Sequence, residues 1–249
     1  IAHEPYFWDR PLTRMFFKQS QGFVVMSEIV KADLLSLCPQ ASYLLHPHPL
    51  YDHFGVKIER AIAQETLKLE TGKKNLLFFG LIREYKGLDL LIDAMASLDS
   101  SYQLIIAGEP YGSFDSYRKQ IEASPARERI QVFDRYIGDE EVFRFFSAAD
   151  LLVLPYRQAT QSGVIPIAYH FETPVLATDV GSLRATLESP GTGRVCPADG
   201  ASIAAGIEKM FAGNLEDFIS KIRLEKQHLS WEYFARAVTG YAATLKNVV

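Results

Sequence analysis

Two basic residues, Arg83 and Lys86, stand in a short loop between a buried apolar run that ends at Gly80 and an amphipathic helix that opens at Gly87. A strand, a glycine, a loop and a helix in this order place backbone amides and the positive end of a helix dipole at the carboxyl edge of a sheet. A guanidinium binds oxygens through two donors, and an ammonium adds a point charge. The loop therefore predicts a diphosphate site, although both residues could also be solvated loop charges.

A second loop with the same character follows the apolar run 151–154 and leads into a helix. The first turn of that helix offers three unpaired backbone amides that could hold an anion, those of Ser162, Gly163 and Val164. Thr160 and Gln161, just before it, could add hydroxyl and amide contacts. Taken alone, this segment also fits an ordinary capped helix. Two such loops at one sheet edge favour a ligand, because ligands of parallel sheets bind outside the carboxyl ends of the strands.

Both loops are positioned by an alternation of short apolar runs and longer amphipathic stretches from Leu76 onward. Six runs bounded by Gly, Pro or Asp are typical of buried parallel strands: 76–79, 103–107, 130–133, 151–154, 175–178 and 194–196. Two helical faces lie between them, one with Leu88, Leu91, Ile92 and Met95 and one with Val142, Phe145, Phe146 and Ala149. The alternation predicts an α/β fold with a doubly wound, Rossmann-like parallel sheet.

The first 50 residues show the same alternation over a shorter stretch. It predicts helices at 12–18 and 28–37, strands at 23–26 and 43–45, and Ser27 as a helix cap. We interpret residues 1–50 as the tail of an incomplete N-terminal α/β domain with its linker. Residues 51–213 form the ligand-binding α/β domain, and residues 214–249 form C-terminal helices, the last capped by Ser230, that pack back toward the first domain. The start at Ile1, without a signal peptide, indicates an incomplete chain.

Composition excludes several classes of function. A net charge of −4 gives no broad basic surface, so we expect no nucleic-acid partner. Cys38 and Cys196 are far apart, which indicates reduced thiols and a cytoplasmic protein rather than a zinc or redox pair. No apolar run is long enough to span a bilayer. His46, His48 and His53 are irregularly spaced, and no additional carboxylate or Cys spacing supports a metal site, so we expect none.

The stretch GLIREYKGLDLLIDA, which contains both basic residues, resembles the phosphate-binding segment of glycosyltransferase family 4 (glycosyl transferases group 1), whose members have the GT-B fold. Further landmarks follow in the family's order: LIIAGE, RIQVFDRYIGDEEVFRFFSAADLLVLPY, PVLATDVGS and GTGRVCPAD. The resemblance covers roughly residues 75–212. Residues 1–50 resemble the end of the family's first domain, and the C-terminal helices resemble those that pack back onto it.

The resemblance implies a nucleoside-diphosphate sugar as donor, a saccharide or lipid-linked acceptor, and no metal or cofactor. Positive charge matters at such a site because negative charge grows on the leaving diphosphate as the glycosidic bond breaks. The implied contacts are Gly80, Arg83, Lys86, Ser162, Gly163 and Val164 for the diphosphate, Thr160 and Gln161 for the sugar, and Arg135, Tyr136 and Ile137 for the base.

The chain departs from the family pattern where relatives usually carry two glutamates seven residues apart, one for the sugar and one for the ribose. Thr160 and Ile167 occupy those positions here. Loss of such a partner usually lowers affinity. Glu172 is the nearest acid on that helix, but its position five residues further points it to a different face. The family's active-site histidine lies in the first domain, and His3 is the candidate near that region.

Residues 6–23 mix aromatic and basic side chains. Such a segment can lie on an anionic membrane surface, which would make the protein peripheral at the inner membrane face. Packing of the same apolar groups against the first domain is the favoured alternative. His170, flanked by aromatic residues, is interpreted as a structural histidine.

Three functions remain open at this point. The first is a retaining glycosyltransferase that moves a hexose-type sugar in polysaccharide or glycoconjugate biosynthesis. The second is a nucleotide-sugar-binding partner domain without catalysis, which the absent glutamates favour. The third is a sugar-nucleotide epimerase, for which no acid and base carboxylates are evident. Because closure between two domains completes such sites, we expect this chain alone to bind nucleoside diphosphate weakly and to transfer no sugar.

Overall fold

The computed structural model describes the backbone of residues 9–246 and the side chains of residues 11–245, except those of Thr13 and Arg14. The chain divides into two compact units, one of residues 51–225 and one that brings residues 1–50 together with residues 226–249. No helix in the described range combines the length and the apolar character needed to cross a membrane.

Parallel strands form two sheets in the described part of the chain. The strands are β1 (Phe23–Val25), β2 (Tyr43–Leu45), β3 (Lys74–Phe79), β4 (Tyr102–Ala107), β5 (Ile130–Phe133), β6 (Leu151–Leu154), β7 (Val175–Thr178) and β8 (Gly193–Cys196). β1 and β2 pair with each other, and the other six form one sheet in the order β5-β4-β3-β6-β7-β8. The predicted doubly wound parallel sheet is confirmed, and each of the six predicted apolar runs lies in one of its strands.

Helices cover the large sheet and complete the small unit. They are α1 (Asp9–Gln19), α2 (Glu28–Leu37), α3 (Arg60–Thr66), α4 (Leu88–Ser97), α5 (Asp115–Ala123), α6 (Asp139–Ala148), α7 (Val164–His170), α8 (Leu183–Glu188), α9 (Gly200–Ala212), α10 (Leu215–His228) and α11 (Trp231–Lys246). The predicted apolar faces of α4 and α6 are buried. α4 packs between the sheet and α9 in one continuous core.

The strand order reverses beside β3, which pairs with β4 on one side and with β6 on the other. Leu76 of β3 lies opposite both Leu104 of β4 and Leu151 of β6. The carboxyl ends of β3 and β6 therefore emerge side by side. Open α/β sheets bind their ligands at such a reversal, and both predicted anion loops start here.

In the smaller unit, Tyr241 of α11 fastens the helix to the β1–β2 pair. Its hydroxyl accepts a hydrogen bond from the Phe23 amide (3.3 Å) and donates to Ser42 Oγ (2.9 Å). The predicted helix caps are confirmed: Ser27 Oγ accepts from the Val30 amide, and Ser230 Oγ accepts from the amide of Tyr233.

Helix α10 lies in the unit of the large sheet as far as residue 225, although the sequence groups it with the C-terminal segment 214–249. Ile222 of α10 is buried, and Arg223 forms an ion pair with Glu172 at the end of α7 (2.8 Å). These contacts join α10 to the sheet unit. The predicted domain limits themselves remain a prediction.

Gly87 provides a test of this architecture, because its φ is +65° and a Cβ there would lie 2.0 Å from the Pro155 carbonyl oxygen. We expect Gly87→Ala to lower the free energy of unfolding by roughly 2–4 kcal/mol, from left-handed strain and from the clash. Gly72 is the matched control, since its φ is +77° but nothing lies within 4 Å of its Cβ position. Urea denaturation should show a loss of only about 1 kcal/mol for Gly72→Ala. Equal losses would contradict the close approach.

Candidate functional site

The loops after β3 and β4 leave the sheet together. The Gly80 amide donates to the Ala107 carbonyl (2.9 Å), and a Cβ on Gly108 would lie 1.9 Å from the Gly80 carbonyl oxygen. Ile82 and Pro110 extend the parallel pairing as an isolated bridge. Only glycine fits at position 108, and the backbone of this edge is held in one arrangement.

Lys86 ends a short 3₁₀ turn (Glu84–Lys86) and returns its side chain to the end of β3. Its Nζ lies 3.4 Å from the Cβ position of Gly80, and Cγ2 of Val164 lies 3.7 Å from that same position. Three predicted site residues from two separate loops thus come together. Lys86 is 9% exposed, and burial, followed by repulsion from Arg83, lowers the pKa of its ammonium to about 8.

Arg83 supplies the second positive charge of the site. Its Nε is buried without a hydrogen-bond partner, and its guanidinium carbon lies 4.5 Å from the ring centroid of Tyr111. Among the residues that the structure describes, neither Arg83 nor Lys86 forms an ion pair with a carboxylate. Arg83 and Lys86 lie near each other at this edge, and two neighbouring cations without a counter-charge favour a multiply charged anion.

The two anion loops are joined by an ion pair that the sequence analysis missed. Both terminal nitrogens of Arg157 donate to the carboxylate of Asp89 (2.6 and 2.5 Å), and the Arg157 amide donates to the Tyr85 carbonyl (2.7 Å). Arg157 holds the pKa of Asp89 below its usual range. The partners are 68 positions apart, so no local spacing could have indicated the pair.

The second loop is fixed by hydroxyl contacts. The hydroxyls of Tyr156 and Ser162 are 3.1 Å apart, and Ser162 Oγ also accepts from the Val164 amide (3.3 Å). The expectation that the Val164 amide is unpaired is therefore wrong, because the hydroxyl of Ser162, two residues earlier, accepts a hydrogen bond from it. Gly163 is exposed and leads into α7, which has only seven residues. This loop adds polar contacts beside Lys86 rather than a strong anion site of its own.

Thr160 and Gln161 lie in the same loop, where the Thr160 carbonyl accepts from the amide and the hydroxyl of Ser182 (3.1 and 2.6 Å). Ile167, at the other position where relatives usually carry a glutamate, is 7% exposed and packs in the core. Glu172 adopts a left-handed φ of +57° and pairs with Arg223. The expectation that Glu172 lies on the helix is wrong, because α7 ends at His170 and Glu172 follows it in a left-handed turn that directs the carboxylate to α10.

A cavity of about 170 Å³ opens at the carboxyl ends of β3, β4 and β5, next to Gly80. Its walls include Phe54, Phe79, Tyr136 and Ile137. Two of the three residues predicted to hold a base therefore line one apolar cavity. The third, Arg135, does not line it, because both its terminal nitrogens donate to Glu141 (2.6 and 2.7 Å). A contact from Arg135 to a base would come from its backbone.

Two further histidines, His3 and His170, have roles predicted from the sequence. His3 lies outside the described residues. His170 Nε2 lies 2.6 Å from the Gly55 carbonyl oxygen, which confirms a structural role. Within the described range, no group of three or more His, Cys, Asp or Glu side chains could hold a metal ion. Independence from metal remains a prediction.

Replacing the buried ammonium should stabilise the protein. The pKa of Lys86 is about 8 in the folded chain and 10.5 without burial. At pH 7 the ammonium is therefore charged in both states, and burying it lowers the free energy of unfolding. We expect Lys86→Met to raise the free energy of unfolding at pH 7 by roughly 1–3 kcal/mol. Wild-type stability should rise relative to the variant between pH 8 and 10.5, because the unfolded state binds more protons in that window.

Urea denaturation at pH 7 and pH 10 measures both effects. Lys119→Met is the matched control, since Lys119 is exposed on α5, and it should change neither value noticeably. A lower stability of Lys86→Met at pH 7 would mean that the ammonium has a stabilising partner.

The chain is similar in sequence to bacterial mannosyltransferases. A GDP-mannose:glycolipid 4-beta-D-mannosyltransferase of Xanthomonas campestris pv. campestris is 36% identical over 137 residues, which cover 54% of this chain and 39% of that protein. The lipopolysaccharide core biosynthesis mannosyltransferase LpsB of Rhizobium meliloti is 28% identical over 172 residues, which cover 64% of this chain and 49% of that protein. The matches thus span less than half the length of these relatives.

Two solved structures share the fold. Sucrose-phosphate synthase from Thermosynechococcus elongatus superposes with a TM-score of 0.78 at 23% identity, covering 100% of this chain and 65% of that one. HepE from Anabaena, in complex with UDP and glucose, gives a TM-score of 0.75 at 16% identity, covering 95% of this chain and 66% of that one. The model of the family described as glycosyl transferases group 1 matches residues 73–212, more than half of the sequence. The chain belongs to this glycosyltransferase family.

Proposed function

We propose that this chain binds the donor of a glycosyl transfer, a nucleoside-diphosphate sugar, with the diphosphate between Arg83 and Lys86. The proposal is carried by these two basic side chains, which meet at the sheet edge without a carboxylate partner among the described residues. A diphosphate supplies the missing negative charge. The same cations favour the transition state, because negative charge grows on the nucleoside diphosphate as its bond to the sugar breaks.

The rest of the donor has room along the same edge. The apolar cavity lined by Tyr136 and Ile137 is suited to the flat face of a base. The loop of Thr160 and Gln161 follows β6 and offers polar groups to the sugar. Since Arg83 and Lys86 provide the positive charge, the proposed reaction needs no metal or other cofactor.

The acceptor is proposed from the relatives. One is named for GDP-mannose and a glycolipid, and another for the lipopolysaccharide core. We therefore infer transfer of a hexose to a saccharide or lipid-linked acceptor in polysaccharide or glycoconjugate synthesis, by a cytoplasmic enzyme. Leu12, Met15 and Phe16 are exposed on α1, which is compatible with peripheral contact at the inner membrane face and with packing against further protein.

A partner domain that binds a nucleotide sugar without catalysis is the second candidate. The observation that favours it is Ile167, which is buried where relatives usually present a glutamate to the ribose. With Thr160 at the other position, neither of the two family carboxylates is present. Binding alone cannot distinguish the two functions, so turnover must be measured.

Donor binding can be tested by calorimetric titration of the chain with UDP-, GDP- and ADP-sugars. We expect at least one to bind, and we expect Arg83→Ala and Lys86→Ala each to weaken binding about tenfold or more, because each removes a charged contact to the diphosphate. Lys119→Ala removes an exposed lysine of α5 and should bind as the wild type does. Affinity that survives both substitutions would place the site elsewhere. No binding by any donor would end the proposal.

The transfer prediction concerns the product. We expect no transfer by this chain alone. When a first domain completes the cleft, we expect sugar transfer with retention of configuration, so that an α-linked donor such as GDP-α-mannose yields an α-glycoside. Proton NMR of the product distinguishes this from the β-glycoside that inversion would give. The name of the Xanthomonas relative, a 4-beta-D-mannosyltransferase that uses GDP-mannose, corresponds to the opposite outcome, inversion. Donor binding without transfer to any saccharide or lipid-linked acceptor, once the cleft is complete, would favour the partner-domain function.

A further inference from the structure

Tyr111 is an aromatic residue that the proposed function leaves unexplained. It follows β4 and is 76% exposed, although it is a large side chain. The guanidinium carbon of Arg83 lies 4.5 Å from the centroid of its ring, a distance at which a cation and an aromatic face attract each other. One face of a cation in the proposed site is therefore covered by a largely exposed residue.

The backbone fixes the place of this ring. The Tyr111 amide donates to the Ile82 carbonyl (2.9 Å), and the Ile82 amide donates to the Glu109 carbonyl (2.8 Å). Ile82 directly precedes Arg83, and Ile82 with Pro110 forms the parallel bridge that joins the two loops. Tyr111 and Arg83 thus extend from one hydrogen-bonded backbone unit, whose geometry does not depend on a ligand.

The Arg83 side chain has few other restraints. Its Nε is buried without a hydrogen-bond acceptor, and no ion pair of its guanidinium exists among the described residues. A free arginine side chain loses considerable rotamer freedom when it binds an anion. A ring against its flat face limits that freedom beforehand and leaves the terminal N–H donors at the edge, where a phosphate can accept two hydrogen bonds.

We infer that Tyr111 is a positioning residue, which holds the Arg83 guanidinium in the orientation that binds the diphosphate. This inference rests on the proposed function. The face of the Tyr111 ring orients the guanidinium, and the phenol hydroxyl is not needed for this contact. The expected contribution is a moderate gain in affinity for the diphosphate group, whatever base is attached to it.

The test is calorimetric titration of the chain with GDP, UDP and inorganic pyrophosphate. Tyr111→Ala should weaken binding of each ligand about two- to fivefold, the range expected for a cation on an exposed ring. Tyr111→Phe keeps the ring and should bind within twofold of the wild type. In an Arg83→Ala background, Tyr111→Ala should have no further effect, because there is no guanidinium left to position. Thermal unfolding should be unchanged, since the ring is largely exposed.

Three results would overturn the inference while leaving the proposed function intact: wild-type affinity in Tyr111→Ala, an equal loss in Tyr111→Phe, or additive losses in the double variant. An equal loss in Tyr111→Phe would instead assign the hydroxyl a direct contact with the ligand. If the wild-type chain binds none of the three ligands, the proposed function and the inference fail together.

Discussion

The ammonium of Lys86 occupies a position where protein interiors rarely hold a charge, because burial there is not offset by a carboxylate among the described residues. The surrounding architecture keeps it in place. Glycines at 87 and 108 let three backbone segments approach closely, and the pair of Arg157 with Asp89 joins the loops on either side. The site is therefore organised before any ligand arrives, at a cost to stability that a bound anion would offset.

The fold was largely predictable because its elements depend on local composition. Strands buried on both faces are continuous apolar runs, and α4 carries its buried residues at helical spacing. Arg83 and Lys86 were also predictable, since a strand, a glycine and a helix determine where the loop between them must lie. Parallel pairing then brought the loop after β6 to the same edge without further information.

The finer features of the site depend on tertiary contacts that no spacing encodes. The sequence predicts that Arg135 contacts the base, but both terminal nitrogens of its guanidinium donate to the Glu141 carboxylate. The sequence predicts an unpaired Val164 amide, but the hydroxyl of Ser162 accepts a hydrogen bond from it. Tyr111 lies in an exposed loop and matches no sequence motif, so its contact with the guanidinium of Arg83 was not predicted. Each case turns on a side chain whose partner is set by rotamer and by neighbouring backbone, which explains why the sequence alone did not determine it.

The hydroxyl of Tyr241 has a consequence for the order in which the chain assembles during synthesis. It bonds to Phe23 and Ser42, and the unit it completes draws its residues from both sides of a 51–225 segment. The ribosome must therefore deliver all of that segment before α11 can reach β1 and β2. The large sheet forms from contacts within one continuous stretch and can fold while translation proceeds. During that interval the β1–β2 pair lacks the hydrogen bonds that Tyr241 supplies.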